Sequence, residues 1–387
     1  MKKQFRVVLF FVLTVLSASA SEETNAVALV VKDISIPIKI LTPSQGNGPF
    51  PVVFNVHGGG WNDGTATEVP PPGLPPDSKI LCDRLGIIYV GLAYRCKAEG
   101  TFQDALEDLH ASIAWFEARA DQFHADTNRI GLTGGSAGTP LSALLAEEMP
   151  ACKTYVGLFG VYDFLNNTNS LFPEAEAYKI YGLETPEAKR VGSAYYHLRA
   201  HPPATLLFHG AHDILINPQQ SVRFGDKLKA QGAPVEVTIY PYANHGYYSP
   251  RNPEEFKDST LKIAKLYSQY LTQTAFDSAS LAAELDKMLA RYFPLAEVPP
   301  KAVVGIWKGQ HDQLEFQADG TGKSTHLRGK TKPFTYEISG GAINVTMNQV
   351  TTKYFMQKDQ RAIYFIYPDG RFAGRKEAFG KGMTIEE

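Results

Sequence analysis

Arg129-Ile130-Gly131-Leu132-Thr133-Gly134-Gly135-Ser136-Ala137-Gly138 is the stretch on which the fold turns. Arg129 to Thr133 reads as a short strand ending in glycines, and Leu141 to Met149 reads as a helix. A chain that passes from strand to helix through G-x-S-x-G has no room for side chains beside the serine. Gly134 and Gly138 supply that room. The Ser136 hydroxyl then projects above the carboxyl edge of a sheet, and the Ala137 N–H opens the helix, where it can donate to an oxyanion. A glycine-rich turn with an incidental serine would look the same locally, so the assignment needs partners elsewhere in the chain.

One partner is His57-Gly58-Gly59-Gly60-Trp61. It directly follows Pro51 to Val56, a β-branched and aromatic run that suits a strand buried on both faces. Three glycines in a row let the backbone approach a substrate and turn N–H groups towards developing negative charge. Losing one such donor typically costs about 2.7–4 kcal/mol of transition-state stabilisation. Gly59 and Gly60, with Ala137, are the candidate oxyanion-hole donors; Gly58 is the substitute, and His57 reads as structural.

An acid and a base should follow the serine in the order Ser, Asp, His. Asp213 stands just past the carboxyl end of the apolar run Leu206-Leu207-Phe208, where ligand sites occur in open α/β sheets. Its competing reading is a helix cap before Pro218. His209 and His212 precede the loop position and are weaker candidates. His245, beside Gly246, follows the strand Val235 to Tyr240 and can serve as a mobile general base. Ser136, Asp213 and His245 are therefore the candidate triad.

Outward from these residues, strands at Val27–Leu41, Pro51–Val56, Ile87–Leu92, Arg129–Thr133, Thr154–Leu158, Ala204–Phe208 and Val235–Tyr240 alternate with helical segments. The helices fall at Asp77–Leu85, with Asp77 as cap, and at Ala105–Arg119, Leu141–Met149, Gln219–Gln231 and Pro253–Tyr270. This alternation predicts an α/β fold, a mostly parallel sheet covered by helices, over residues 21–275. Tyr162 to Pro203 is long enough to form a cap; Tyr162, Phe164, Phe172, Tyr195 and Tyr196 either line a pocket there or pack in the core. Residues 276–302 read as a helical linker, with one helix from Ala279 to Tyr292. Residues 303–387 alternate and break at glycine turns such as Asp319-Gly320 and Asp369-Gly370. They predict a small antiparallel β domain, faintly lipocalin-like, with too few strands to argue a cavity.

The formal net charge of −2, with 44% apolar and 20% charged residues, points away from nucleic acid and other polyanions. Residues 1–20 read as a signal peptide: a basic start, an apolar run from Val7 to Leu16, and small residues up to Ala20. The expected location is secreted or periplasmic, with no membrane span in the mature chain. Of the three cysteines, Cys82 and Cys96 either pair or, with Cys152, remain buried thiols. None lies in a zinc-binding spacing, so no metal is expected.

Several of these motifs occur together in one family. Residues from about Ala26 to Thr272 resemble the α/β-hydrolase superfamily, and within it the hormone-sensitive-lipase-like carboxylesterases. His57-Gly58-Gly59-Gly60-Trp61 is similar to their oxyanion motif, and Ala93-Tyr94-Arg95 to the tyrosine–arginine pair after the next strand. Asp104 and Asp108 resemble the start of the helix supporting the elbow; Asn128-Arg129-Ile130, the His209 to Asp213 loop and Asn244-His245-Gly246 also match. The sequence departs at Gly135, where the family often has Asp, and at Thr139-Pro140 after the elbow, where Thr139 would tighten the helix start or alter the acyl pocket. The resemblance implies ester hydrolysis through an acyl-enzyme, without metal or organic cofactor, on a small-molecule or carbohydrate-linked ester. Two other readings use the same scaffold: a peptidase of the prolyl-oligopeptidase type, and a non-catalytic binding protein.

Overall fold

The computed structural model describes residues 21–61, 73–96, 99–167, 181–213, 215–241, 243–275, 277–293, 296–308, 312–326, 329–339, 341–358, 360, 362–366 and 372–379. The expected signal peptide, Phe172 and the Asp369-Gly370 turn lie outside them.

Eight strands form the first sheet: β1 (Glu22–Val31), β2 (Ile34–Thr42), β3 (Phe50–Val56), β4 (Ile88–Leu92), β5 (Ala125–Gly135), β6 (Cys152–Leu158), β7 (Ala204–Gly210) and β8 (Val235–Tyr240). Their order is β1-β2-β4-β3-β5-β6-β7-β8. The β1–β2 and β2–β4 pairings are antiparallel, and every pairing from β4 through to β8 is parallel. The chain leaves β3 for β4 on one side, then returns past it to β5 on the other. This reversal opens a crevice at the carboxyl ends of β3 and β5, the place where open α/β sheets bind ligands. The glycine loop and the serine elbow are the segments that leave those two ends.

Helices cover both faces: α1 (Ser78–Leu85), α2 (Phe102–Glu117), α3 (Gly138–Glu148), α4 (Pro186–Val191), α5 (Gln219–Ala230), α6 (Pro253–Tyr267) and α7 (Ser278–Leu289). Strand alternation sorts side chains between two cores. Val52, Phe54, Val56, Ile88, Val90 and Leu92 pack with α2, α3 and α5. Val53, Tyr89, Leu206 and Phe208 pack on the other face with α1, α6 and α7. Burial on both faces is why the central strands read as continuous apolar runs. The segment read as a linking helix contributes Leu281, Leu285 and Leu289 to this second core.

The cysteines settle one open alternative. All three are buried, and none is in a disulfide. Cys82 lies in the core beneath α1 and Cys96 in the core on the opposite face, so the sheet separates them and the Cys82–Cys96 pairing does not form. Burial pushes the Cys152 thiol up to about 12.

Two local expectations change. The helix expected from Ala105 begins at Phe102, because Thr101 and Asp104 form a reciprocal capping box: the Asp104 N–H donates to Thr101 Oγ1 at 3.3 Å and the Thr101 N–H to Asp104 Oδ2 at 2.9 Å. Asp77 occupies the cap position of α1, yet its side chain makes no cap bond; it turns into the core and accepts a hydrogen bond from the Tyr248 hydroxyl.

After the short helix α8 (Pro300–Val303) comes a second unit of eight strands: β9 (Gly305–Lys308), β10 (Asp312–Phe316), β11 (Thr321–His326), β12 (Thr331–Ser339), β13 (Ala342–Met347), β14 (Val350–Met356), β15 (Ala362–Ile366) and β16 (Phe372–Phe379). All pairings are antiparallel, and β16 pairs with β9 to close a barrel. Closure through the first and last strands is a feature that local periodicity does not reveal. Trp307, Leu314, Phe316, Phe334, Ile343, Val345 and Met356 form the barrel core, consistent with an eight-stranded barrel just wide enough to be filled by side chains. Gln357 Nε2 donates to the Arg251 carbonyl at 2.8 Å, and the Lys358 N–H to the Phe293 carbonyl at 2.7 Å, so the barrel touches the sheet unit at the loop before α6 and just beyond α7.

Candidate active site

Ser136 stands at the turn between β5 and α3 with φ of 52°, a left-handed conformation that a side-chain-bearing residue adopts only under local constraint. Its N–H donates to the Leu158 carbonyl at 2.9 Å. The flanking glycines are required by space. A Cβ on Gly134 would lie 2.2 Å from Ser142 Oγ, and one on Gly138 would lie 2.3 Å from the Val56 carbonyl oxygen. Thr139 is fully buried. Its hydroxyl lies 3.1 Å from the Gly134 carbonyl and 3.2 Å from that of Leu158, and its side chain fills the space a Cβ at Gly160 would need. It therefore tightens the elbow from beneath rather than facing an acyl group.

The three residues expected to cooperate meet here, although 109 positions separate Ser136 from His245. Ser136 Oγ is 2.8 Å from His245 Nε2, and His245 Nδ1 is 2.7 Å from Asp213 Oδ2. A carboxylate accepts only, so Nδ1 carries the proton and Nε2 is left to accept from the serine hydroxyl. Burial alone would raise the Asp213 pKa, but hydrogen bonds from His209 and His245 prevail and hold it at about 2. Its second oxygen accepts from the Leu215 and Ile216 N–H groups, each at 2.9 Å. These four donors make Asp213 part of the site; it does not cap a helix. The Phe159 ring stands edge-on to His245 at 5.0 Å between centroids.

The glycine loop lies against the elbow. Gly59, Gly60 and Trp61 have φ of 107°, 61° and 58°, a run that only glycine adopts freely. A Cβ on Gly58 would lie 2.8 Å from the Gly135 carbonyl oxygen. Trp61 Nε1 donates to the Ala137 carbonyl at 2.9 Å, tying the loop to the start of α3. The Trp61 ring stacks on Tyr181 at 5.0 Å. His57 stands apart from the triad: its ring stacks on Tyr94 at 4.4 Å, and burial lowers its basicity. The Tyr94 hydroxyl donates to the His57 carbonyl at 2.9 Å.

Other motif residues converge on the same scaffold. Arg95 binds Asp108 through Nε and Nη2, both at 2.8 Å, and Asp104 through Nη1 at 3.0 Å, locking α2 to the end of β4. Of the aromatic residues left open by the sequence, Tyr162 stacks on Phe224 at 4.3 Å and Phe164 packs 6.0 Å from Phe102, both in the core. Tyr195 and Tyr196 are half-buried and carry Lys227 and Arg190 over their rings. A cleft of about 760 Å³, lined among others by Glu147, Cys152, Arg199 and Tyr270, opens at the amino ends of β6 and β7 and shares no lining residue with the triad. Among the described residues no cluster of three or more metal-ligating side chains occurs, and no helix is long and apolar enough to cross a membrane.

Sequence reasoning passed over His209 and Tyr248. His209 precedes the loop position that singles out Asp213, although its place at a strand end is a usable signal. The packing of Tyr248 on Asp77 spans 171 residues and left no local trace.

Comparison with known proteins finds similarity to esterases. The BD-FAE family model matches residues 38–228. The chain is 27% identical over 220 residues to the probable carboxylic ester hydrolase LipM of Mycobacterium tuberculosis, covering 52% of this chain and 50% of LipM. It is 28% identical over 232 residues to the isoprenylcysteine alpha-carbonyl methylesterase ICME of Arabidopsis thaliana, covering 54% and 53%. The matched region spans about half the length of these curated relatives. Among solved structures, a thermophilic esterase of Thermogutta terrifontis, Est2, superposes with a TM-score of 0.52 at 20% identity, over 65% of this chain and 92% of Est2. An acetyl ester-xyloside bifunctional hydrolase of Caldicellulosiruptor lactoaceticus gives 0.53 at 19% identity, over 64% and 96%.

Proposed function

We propose that this chain, which belongs to the α/β-hydrolase superfamily and within it is similar to the hormone-sensitive-lipase-like carboxylesterases, hydrolyses carboxylic esters through an acyl-enzyme. The observation that carries the proposal is the continuous line from Ser136 Oγ through His245 to Asp213, with contacts of 2.8 and 2.7 Å.

Asp213 holds the Nδ1–H tautomer of His245, so Nε2 takes the proton as Ser136 Oγ attacks the ester carbonyl carbon. The carbonyl electron pair moves onto oxygen, and the N–H groups of Ala137, Gly59 and Gly60 receive that negative charge. The tetrahedral species collapses, the alcohol leaves with the proton from His245, and the acyl group stays on Ser136. Water then loses its proton to His245 and attacks the acyl carbon, releasing the acid and restoring the serine hydroxyl.

The substrate class proposed is an acylated carbohydrate or a small ester, processed outside the cytoplasm. The export-like residues 1–20 and the trailing barrel support this reading, as does the structural likeness to a hydrolase described as acting on acetyl esters. The experiment compares the purified chain with Ser136→Ala on a short-chain nitrophenyl ester, an acetylated xylo-oligosaccharide and an aminoacyl anilide. Release of nitrophenol and acetate that vanishes in Ser136→Ala is the expected result. Equal rates in both proteins would remove Ser136 as nucleophile, and cleavage of the anilide alone would favour the peptidase.

A further inference from the structure

We propose that His209 is a positioning residue for the acid of the triad, a role that rests on the catalytic reading above. His209 is the penultimate residue of β7 and is wholly buried. Its Nε2 lies 3.1 Å from Asp213 Oδ2 and 3.1 Å from the Ile216 carbonyl oxygen. Both are acceptors, so Nε2 carries a proton. Its Nδ1 lies 2.8 Å from the hydroxyl of Ser221, in the first turn of α5. A neutral imidazole satisfies all three contacts at once: Ser221 donates to Nδ1, and Nε2–H donates to the carboxylate and carbonyl.

The consequence lies in which oxygen is used. His209 and His245 both donate to Oδ2 of Asp213, while Oδ1 takes two backbone N–H groups. The backbone fixes the position of the carboxylate, and His209 claims one side of Oδ2, leaving the other side facing His245. It also draws charge from the oxygen that stabilises the His245 imidazolium. The titratable groups around His209 are Asp213, His245 across that carboxylate, and the buried Tyr162 phenol beside Ser221; burial raises Tyr162 far enough to keep it neutral. Removing the His209 donor therefore has two effects of different kind. It loosens the aim of Asp213, and it returns charge to Oδ2, making His245 a stronger base.

The test is steady-state kinetics on a short-chain nitrophenyl ester across pH, with His209→Leu, His209→Gln and Ser221→Ala in the full chain. For His209→Leu, kcat falls about ten- to a hundredfold, the size expected for a misaimed catalytic group, with KM changed less than about twofold. The acid limb of the kcat/KM profile moves up on the order of half a pH unit. His209→Gln, whose amide N–H₂ can still reach Oδ2, recovers most of both. Ser221→Ala frees Nδ1 and gives a smaller change in the same two directions; it carries the test if His209→Leu does not fold. A folded His209→Leu or Ser221→Ala with an unmoved acid limb would overturn the proposal, as would failure of Gln to rescue. Ser136→Ala run alongside separates the two levels: if it stays active the triad reading itself falls, and if it is dead while the His209 variants behave as wild type, only the positioning role falls.

Discussion

Among the described residues, every buried carboxyl, guanidinium or imidazole side chain belongs to the sheet unit: Asp77, Arg95, Asp108, Glu147, Asp163, His209 and Asp213. Among its described residues, the barrel buries the neutral amides of Asn344 and Gln357 alongside its apolar core. The two units bury apolar surface by different rules. In the sheet unit β3, β4 and β7 are enclosed on both faces, so their backbone ends gather under helices, and polar side chains there are held by partners: Arg95 by Asp108, Asp163 by Arg223, Asp213 by two histidines. In the barrel, β12 and β14 largely alternate between an apolar interior and a wetter exterior, and the interior is filled by rings such as Trp307, Phe316 and Phe334. Acid–base chemistry needs titratable groups shielded from water and aimed at one another. The first architecture supplies them at its carboxyl edge, and the second has no comparable cluster among its described residues.

Four experiments press on this contrast, beginning with the largest effect. Ser136→Ala should lower turnover on short esters by about a millionfold, since removal of such a nucleophile disables the whole triad; steady-state assays read it, and residual turnover near wild type would break the contrast outright. Trp307→Ala, in the barrel core, should cost about 3–5 kcal/mol of stability in its own unit. Calorimetry should show an early transition for the barrel while kcat at low temperature stays within about twofold; a collapse of kcat would mean that the barrel supports the site.

Asp77 tests whether pH dependence of stability belongs to the sheet unit. Burial outweighs its hydrogen bonds and raises its pKa from 3.8 to about 6. Between those values the folded state holds a proton that the unfolded state has lost. Stability attributable to this group is therefore present below the lower value and lost as pH rises through the upper one, by about 3 kcal/mol in all. Asp77→Asn should flatten that part of the urea-unfolding profile, and an unchanged slope would show that Asp77 is not the group responsible. The smallest effect belongs to Thr139→Gly, which restores the residue often found there in the resembling family. It removes the buried hydroxyl shared by the Gly134 and Leu158 carbonyls, about 1–2 kcal/mol, together with the packing on Gly160, and should lower the melting temperature while leaving acyl-chain preference unchanged. A shifted chain-length profile would mean that Thr139 reaches the substrate after all.

Much of the candidate site is legible in the sequence alone. The glycines flanking Ser136, the triple glycine after β3 and the polar residues at the ends of β7 and β8 are local patterns with local causes: a tight turn, a close backbone approach, a strand end. The strand at β5 was underestimated because Ala125 to Asn128 is polar and partly exposed, so its strand character comes from pairing with neighbours rather than from its own apolarity. Thr139 was ambiguous because nothing nearby in sequence indicates that Gly160 lies beneath it. The separation of Cys82 from Cys96 by a whole sheet is invisible in a spacing of fourteen residues.

The sequence by itself determined which groups meet at the candidate site and the alternation that makes its first sheet mostly parallel, because the elbow serine, loop glycines and strand periodicity are each written within a few residues. Only the tertiary structure decided that a second histidine shares the oxygen of Asp213, that Asp77 is buried against Tyr248, and that the last eight strands close on themselves. Each of these is a contact whose partners are brought together by the packing of whole elements, and no local pattern can specify which surfaces will meet.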